Sequence, residues 1–176
     1  MKTPVTVFKT DWFHIEEESY QDQASMGSAP YYRIKSADGV IILALTEESQ
    51  IILVKQFRPA LNKYTLEFPS GSIDEGETAT QAASRELLEE TGYVCQKLNC
   101  LSKGHVMMNR FDSFDYAFYG RNAKLNTDYK IKEDISVVLV DKSKFKSMLL
   151  SGDFQQFTAF APLVLADLKY KVGLLF

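Results

Sequence analysis

The sequence predicts a mixed α/β fold: one domain spanning residues 1–176, with a mixed β-sheet covered by helices on both faces. Three observations carry that expectation. The 176 residues, 45% of them hydrophobic and 24% charged, suit a single domain with a sizeable core. Strand-like and helix-like segments interleave without a strict βαβ alternation, which favours a mixed rather than an all-parallel sheet. One helix, finally, carries its own start and stop signals.

Residues 1–38 stand somewhat apart. Val5–Tyr20 alternates like a strand, and Gln21–Pro30 is small and polar. Val40–Thr46 and Gln50–Phe57 are apolar runs of strand length, joined at Glu47-Glu48-Ser49. Tyr64–Phe68 is a short strand leading into a glycine-bounded loop. The helix over Ala79–Glu90 is rich in good helix formers, with Thr78 and Gln81 spaced as a capping box and Gly92 as the stop. Its Ala82, Ala83 and Leu87 supply an apolar stripe for the core. Val94–Leu101, Ser113–Tyr119 and Ile135–Asp141 read as strands. Lys142–Leu150 and Phe157–Tyr170 read as helices, the second with Phe160, Leu163, Leu165 and Leu168 as its apolar positions.

Charge and composition exclude several classes. A net charge of −3 with no basic block argues against broad nucleic-acid binding, though not against a single nucleotide ligand. The first residues lack the apolar stretch of a signal peptide, and no run approaches membrane-spanning length. Cys95 and Cys100 are the only cysteines, read as reduced thiols in a cytoplasmic protein.

The chemistry concentrates at the end of the capped helix. Glu86, Glu89 and Glu90 share one face there, because residues three and four apart are neighbours. They sit where the helix dipole is already negative, so each is unfavourable by roughly 0.3–1 kcal/mol before mutual repulsion. A cation would offset this, and hard divalent ions such as Mg²⁺ or Mn²⁺ prefer such oxygen donors.

From Gly71 to Tyr93 the chain reads Gly, five residues, Glu77, seven residues, then Arg85-Glu86-Leu87-Leu88-Glu89-Glu90-Thr91-Gly92-Tyr93. This string resembles the Nudix hydrolase signature at every fixed position. Seven identities at ~6% usage each make a chance match rarer than about one in 10⁸ per window. The resemblance implies an α/β/α sandwich with the signature helix against the sheet. It also implies metal binding by Glu86, Glu89, Glu90 and the Gly71 carbonyl. Arg85 would orient a neighbouring carboxylate, either Glu89 or Glu77, and Glu77 would brace the loop. The reaction implied is hydrolysis of a nucleoside diphosphate linked to another moiety.

The flanks point to one branch of that family. Ile51–Ala60 and Leu66–Glu77 resemble the strand and the approach to the box in ADP-ribose pyrophosphatases, and Glu133-Asp134-Ile135-Ser136-Val137 resembles their later acidic loop. By that resemblance Glu133 is the candidate general base, with Glu89 the fallback. Arg58 and Arg110 are candidate phosphate or sugar contacts, since guanidinium suits oxyanions; the other reading of Arg58 is a salt bridge. Related enzymes often dimerise through N-terminal strands and sandwich the base between aromatics. Residues 1–38 are thus the candidate element of a homodimer, with Trp12 and Tyr32 as candidate base contacts. One departure keeps the substrate open: where the group has Ser-Pro-Gly, this chain has His105-Val-Met-Met-Asn109-Arg110-Phe111-Asp112-Ser113. ADP-ribose and another sugar nucleotide, GDP- or UDP-linked, both stand as substrates. Triphosphates or dinucleoside polyphosphates are the alternative class, and a non-catalytic nucleotide sensor is a third.

Overall fold

The computed structural model describes residues 3–19, 29–130 and 134–175. The N-terminal part is a three-stranded antiparallel sheet of β1 (Val5–Lys9), β2 (Phe13–Glu18) and β3 (Tyr31–Ser36), in that order. The alternation read over Val5–Tyr20 is thus a hairpin. Its turn is held by Thr10 Oγ1, which accepts the amides of Trp12 and Phe13 at 3.2 and 3.0 Å.

The main sheet contains β4 (Gly39–Thr46), β5 (Ile51–Arg58), β6 (Lys63–Glu67), β7 (Ser70–Ser72), β8 (Tyr93–Val94), β9 (Leu98–Gly104), β10 (Asp115–Leu125) and β11 (Ile135–Val140). Its main path runs β11-β5-β4-β10-β8, with β6 on β5, β7 on β4 and β9 on β10. β4 and β10 form a parallel pair, and the other pairings are antiparallel. The sheet is mixed, as expected.

Alternation along β4 explains the layers, because successive side chains point to opposite faces. Ile41, Leu43 and Leu45 join a core with Phe145 and Met148 of α2 (Lys142–Ser151) and Leu163 and Ala166 of α3 (Phe160–Tyr170). Val40, Ile42 and Ala44 join Ala82, Ala83 and Leu87 of α1 (Ala79–Thr91). Helices cover both faces, which makes the α/β/α sandwich.

Local chemistry sets the ends of α1. Thr78 and Gln81 form the capping box, and Gly92 adopts a left-handed φ of 73° at the C-cap. Three expectations are corrected. The strand over Val94–Leu101 is two strands, β8 and β9, separated at Cys95–Lys97. The strand expected over Ser113–Tyr119 starts at Asp115 and runs on to Leu125. The segment Phe157–Tyr170 begins with a 3₁₀ turn at Phe157–Ala159, and α3 buries Pro162, Leu163, Ala166 and Asp167 while Phe160 and Leu168 stay exposed. Asp167 turns inward because its carboxylate accepts the Leu174 and Leu175 amides at 2.9 and 3.0 Å.

Replacing Thr78 by Ala removes the side-chain half of the capping box. The expected cost is about 1 kcal/mol of unfolding free energy. Urea denaturation checks it: the midpoint falls and the m-value stays the same.

Candidate active site

The site is built where β7 meets α1. Gly and Ser are weak strand formers, yet β7 pairs with Gly39–Ile41 of β4 and so lies flat beside the helix. Gly71 is needed there for space. A Cβ at this position would stand 2.0 Å from Glu86 Oε1, and its φ is not left-handed. Gly76, by contrast, has φ +80° and open space, so it serves the turn's conformation. The two glycines of the loop do different jobs.

Arg85 ties loop to helix. Its Nε and Nη2 donate to the two Glu77 oxygens at 3.0 and 2.9 Å, its Nη2 also to the Ser72 carbonyl at 2.8 Å, and its Nη1 to Glu86 at 2.6 Å. Glu89 is farther, at 3.7 Å. Of the two partners open to Arg85, Glu77 holds the bidentate contact, and Arg85 keeps its carboxyl below the usual range.

Glu90 faces inward and is buried, with one oxygen accepting the Ser70 amide at 2.9 Å. Burial pushes its pKa up to about 7; the Ser70 hydrogen bond opposes this, Glu86 and Glu67 add to it, and Arg58 opposes it. Arg58 clasps Glu67, with Nε to Oε1 at 2.7 Å and Nη2 to Oε2 at 2.5 Å, and Thr65 donates to the same carboxylate. Burial alone would raise the Glu67 pKa, but these bonds outweigh it and hold it low. Arg58 therefore stands in a partly buried ion pair, and its remaining Nη1 makes no hydrogen bond among the described residues.

Two clefts meet at Ser70, Gln156 and Thr158. One, of about 910 Å³, is lined by Arg58, Glu67, Lys55 and Lys63 among others. The second, about 470 Å³, contains Gly71, Trp12, Met107, Phe111 and Asp115. Trp12, 85% exposed, reaches this second cleft from the β1–β2 turn. Tyr32 and Arg110 line neither cleft. The Tyr32 hydroxyl donates to Glu17 at 2.9 Å, and the Arg110 guanidinium lies 4.6 Å from the Tyr31 ring centroid. Glu133 lies outside the described residues. Ile135, the first residue of β11, pairs with Gln56 near the Arg58 end of β5. His105 is a packing residue: its Nδ1–H donates to the Ser113 carbonyl at 2.9 Å and its ring lies against Phe114. Gln156, Thr158 and Asp115 carry no sequence signal. Gln156 lies beyond the signature and joins the site by accepting the Phe68 amide at 2.8 Å.

Among the described residues, no three His, Cys, Asp or Glu side chains are already gathered closely enough to hold a metal ion. Glu86 is turned onto Arg85 and Glu90 onto the Ser70 amide. The donor set nevertheless fits a hard divalent cation. It consists of carboxylates and a carbonyl, the Gly71 cradle keeps room beside Glu86, and the buried Glu90 has no Lys or Arg bonded to it among the described residues.

A model of the NUDIX domain matches residues 35–154, more than half of the chain. The chain belongs to the NUDIX family. It is similar to the ADP-ribose pyrophosphatase of Bacillus subtilis (strain 168), 38% identical over 85 residues, covering 48% of this chain and 46% of that one. It is also similar to the ADP-sugar pyrophosphatase of Mus musculus, 47% identical over 70 residues, covering 38% and 32%. These alignments span less than half of either relative's length. A crystal structure of ADP compounds hydrolase superposes with a TM-score of 0.78 at 22% identity, covering 97% of this chain and 96% of that one. That likeness shows the Nudix fold.

The pH dependence of stability follows from Glu90. An unfolded Glu90 titrates near 4.5 and the folded one near 7. Below 4.5 both states hold the proton. Between the two values the unfolded chain releases a proton that the folded chain keeps, so stability falls as pH rises and levels off above 7. The loss is of order 3 kcal/mol at most. We expect Glu90→Gln to flatten this slope in chelator-treated protein, read as melting midpoint against pH.

Proposed function

We propose that this Nudix-family chain hydrolyses the diphosphate of a nucleoside diphosphate sugar, ADP-ribose-like or another, to a nucleoside monophosphate and a sugar phosphate. The observation that carries this reading is the helix face of Glu86, Glu89 and Glu90, set against Gly71 at the junction of two clefts. Relatives named as ADP-ribose and ADP-sugar pyrophosphatases support the substrate class.

In this reading Glu86, Glu89, Glu90 and the Gly71 carbonyl hold Mg²⁺, with Mn²⁺ as a substitute. Such an ion supplies positive charge against the diphosphate oxygens and acidifies water. Glu133 accepts the proton of the attacking water, whose oxygen bonds to phosphorus as the bridging P–O bond breaks; Glu89 is the second candidate for that proton. Arg85 positions Glu86 and Glu77. Arg58 turns its Nη1 edge to a phosphate oxygen while Glu67 fixes its plane. Trp12 stacks on the base, and Tyr32 and Arg110 contact substrate across a homodimer built by the strands of residues 1–38. Exposed Val5, Val7, Phe8 and Phe13 on that small sheet support the dimer. Cys95 and Cys100 are free thiols, which supports a cytoplasmic location. No described helix is long and apolar enough to cross a membrane.

The test is product analysis with Mg²⁺ and a panel of ADP-ribose, GDP-mannose, UDP-glucose, NADH, a dinucleoside polyphosphate and dGTP. We expect one sugar nucleotide to yield nucleoside monophosphate and sugar phosphate. Selective cleavage of dGTP or the polyphosphate would move the chain to the alternative hydrolase class, and no turnover would favour the sensor. Glu90→Gln is expected to lower kcat by roughly 100-fold or more while the fold persists. Full activity in that variant would end the metal assignment.

A further inference from the structure

The cleft beneath Trp12 holds a carboxylate that the fold does not use. Asp115 begins β10 directly opposite Gly39 of β4, in the parallel pair of the sheet. A Cβ on Gly39 would lie 2.4 Å from Asp115 Oδ1 and 3.5 Å from the Gly71 carbonyl. Gly39 has no left-handed φ, so the missing side chain serves space rather than conformation. Asp115 and the Gly71 carbonyl therefore border one notch in the wall of the cleft.

Its surroundings do not explain it as a structural group. Neighbouring Asp38 is bonded into the fold, accepting the Phe114 amide at 2.8 Å. The Asp115 carboxylate makes no hydrogen bond or ion pair among the described residues, although the residue is half-buried and stands near Asp38. A carboxylate so placed is costly unless something donates to it. Burial first, and Asp38 second, push its pKa upward, in line with that cost.

We propose that Asp115 is a specificity residue that accepts hydrogen bonds from the vicinal hydroxyls of the substrate's sugar next to the diphosphate. This rests on the reading of the chain as a sugar-nucleotide hydrolase. If the Gly71 carbonyl marks the phosphate end of the site, the next covalent group is a sugar. Sugars present hydroxyl donors on adjacent carbons, and an ionised carboxylate offers two acceptor oxygens and no donor. Trp12 and Phe111 line the same cleft and offer apolar surface for the ring beyond.

The experiment is steady-state kinetics of wild type, Asp115→Ala and Asp115→Asn with Mg²⁺. The substrate is whichever of ADP-ribose, GDP-mannose and UDP-glucose is hydrolysed fastest, run beside its analogues lacking the 2-hydroxyl of the nucleoside ribose or of the distal sugar. Asp115→Ala is expected to lower kcat/KM about 10- to 100-fold on the parent. On one of the two deoxy analogues, the one whose lost hydroxyl Asp115 serves, it should have little effect. Asp115→Asn should melt at or above the wild-type temperature, since an unpaired acid is gone. An equal loss on the parent and both analogues, or no loss at all, overturns the inference, as does a lowered melting point for Asp115→Asn. If wild type is active and Asp115→Ala is unaffected, this inference alone fails. If wild type cleaves none of the three, the sugar-nucleotide reading fails and takes this one with it.

Discussion

The site depends on one cation, Arg85. The helix that carries it has no acidic residue in its first turn and no basic residue in its last, so its charge runs against the dipole at the acidic end. Arg85 answers this from within the helix. It binds both Glu77 oxygens, the Ser72 carbonyl and Glu86, and so fastens the loop, the strand β7 and the acidic face into one body. A lysine could not do the same, because a single ammonium cannot present a planar fork to Glu77 while reaching two further acceptors.

A second ion pair balances the other side. Arg58 of β5 and Glu67 of β6 meet through their side chains, in a two-bond contact that offsets their charges. Arg58 still favours the ionised Glu90, while Glu67 opposes it. Net charge around Glu90 thus stays negative in the protein itself. That imbalance is the electrostatic content of the site: the acids are placed by the backbone at Ser70 and Gly71, and the protein's own cations do not neutralise them. The same two arginines also explain why the site is pre-formed in parts. Arg85 fixes the plane of Glu77 and holds Glu86, and Arg58 fixes the plane of Glu67.

Much of this was legible in the chain because short-range physics decided it. The capping box and Gly92 act within a few residues, so the bounds of α1 were readable. Strands buried on both faces give continuous apolar runs, which made β4 and β5 visible. The signature placed the acids on one face by helical spacing alone. Long-range effects were hidden. β7 is a strand only because β4 offers its edge, whatever the propensity of Ser-Gly-Ser. Asp167 is buried because the chain returns at Leu174 and Leu175 to bond it, which no pattern of apolar residues announces. The need for glycine at position 71 was hidden too, because it comes from the Glu86 carboxylate on the helix, which leaves no room for a Cβ.

The parallel pair at the centre links these facts. Parallel strands need a long crossover, and here β4 connects to β10 through β5, β6, β7, α1, β8 and β9. That crossover carries the metal-site candidates down one side of β4, while β10 arrives on its other side. β4 is consequently flanked at one end by β7 with Gly71 and by β10 with Asp115, and glycine at position 39 lets both approach. The turn at Met107–Phe111 then joins the small sheet: Ile34 donates its amide to the Arg110 carbonyl at 2.7 Å, and Phe111 bridges to Ile34. Through that seam the β1–β2 turn brings Trp12 over the same cleft. A sequence can place acids on a helix by counting residues, but only this topology sets Trp12, Asp115 and the Gly71 carbonyl around one opening.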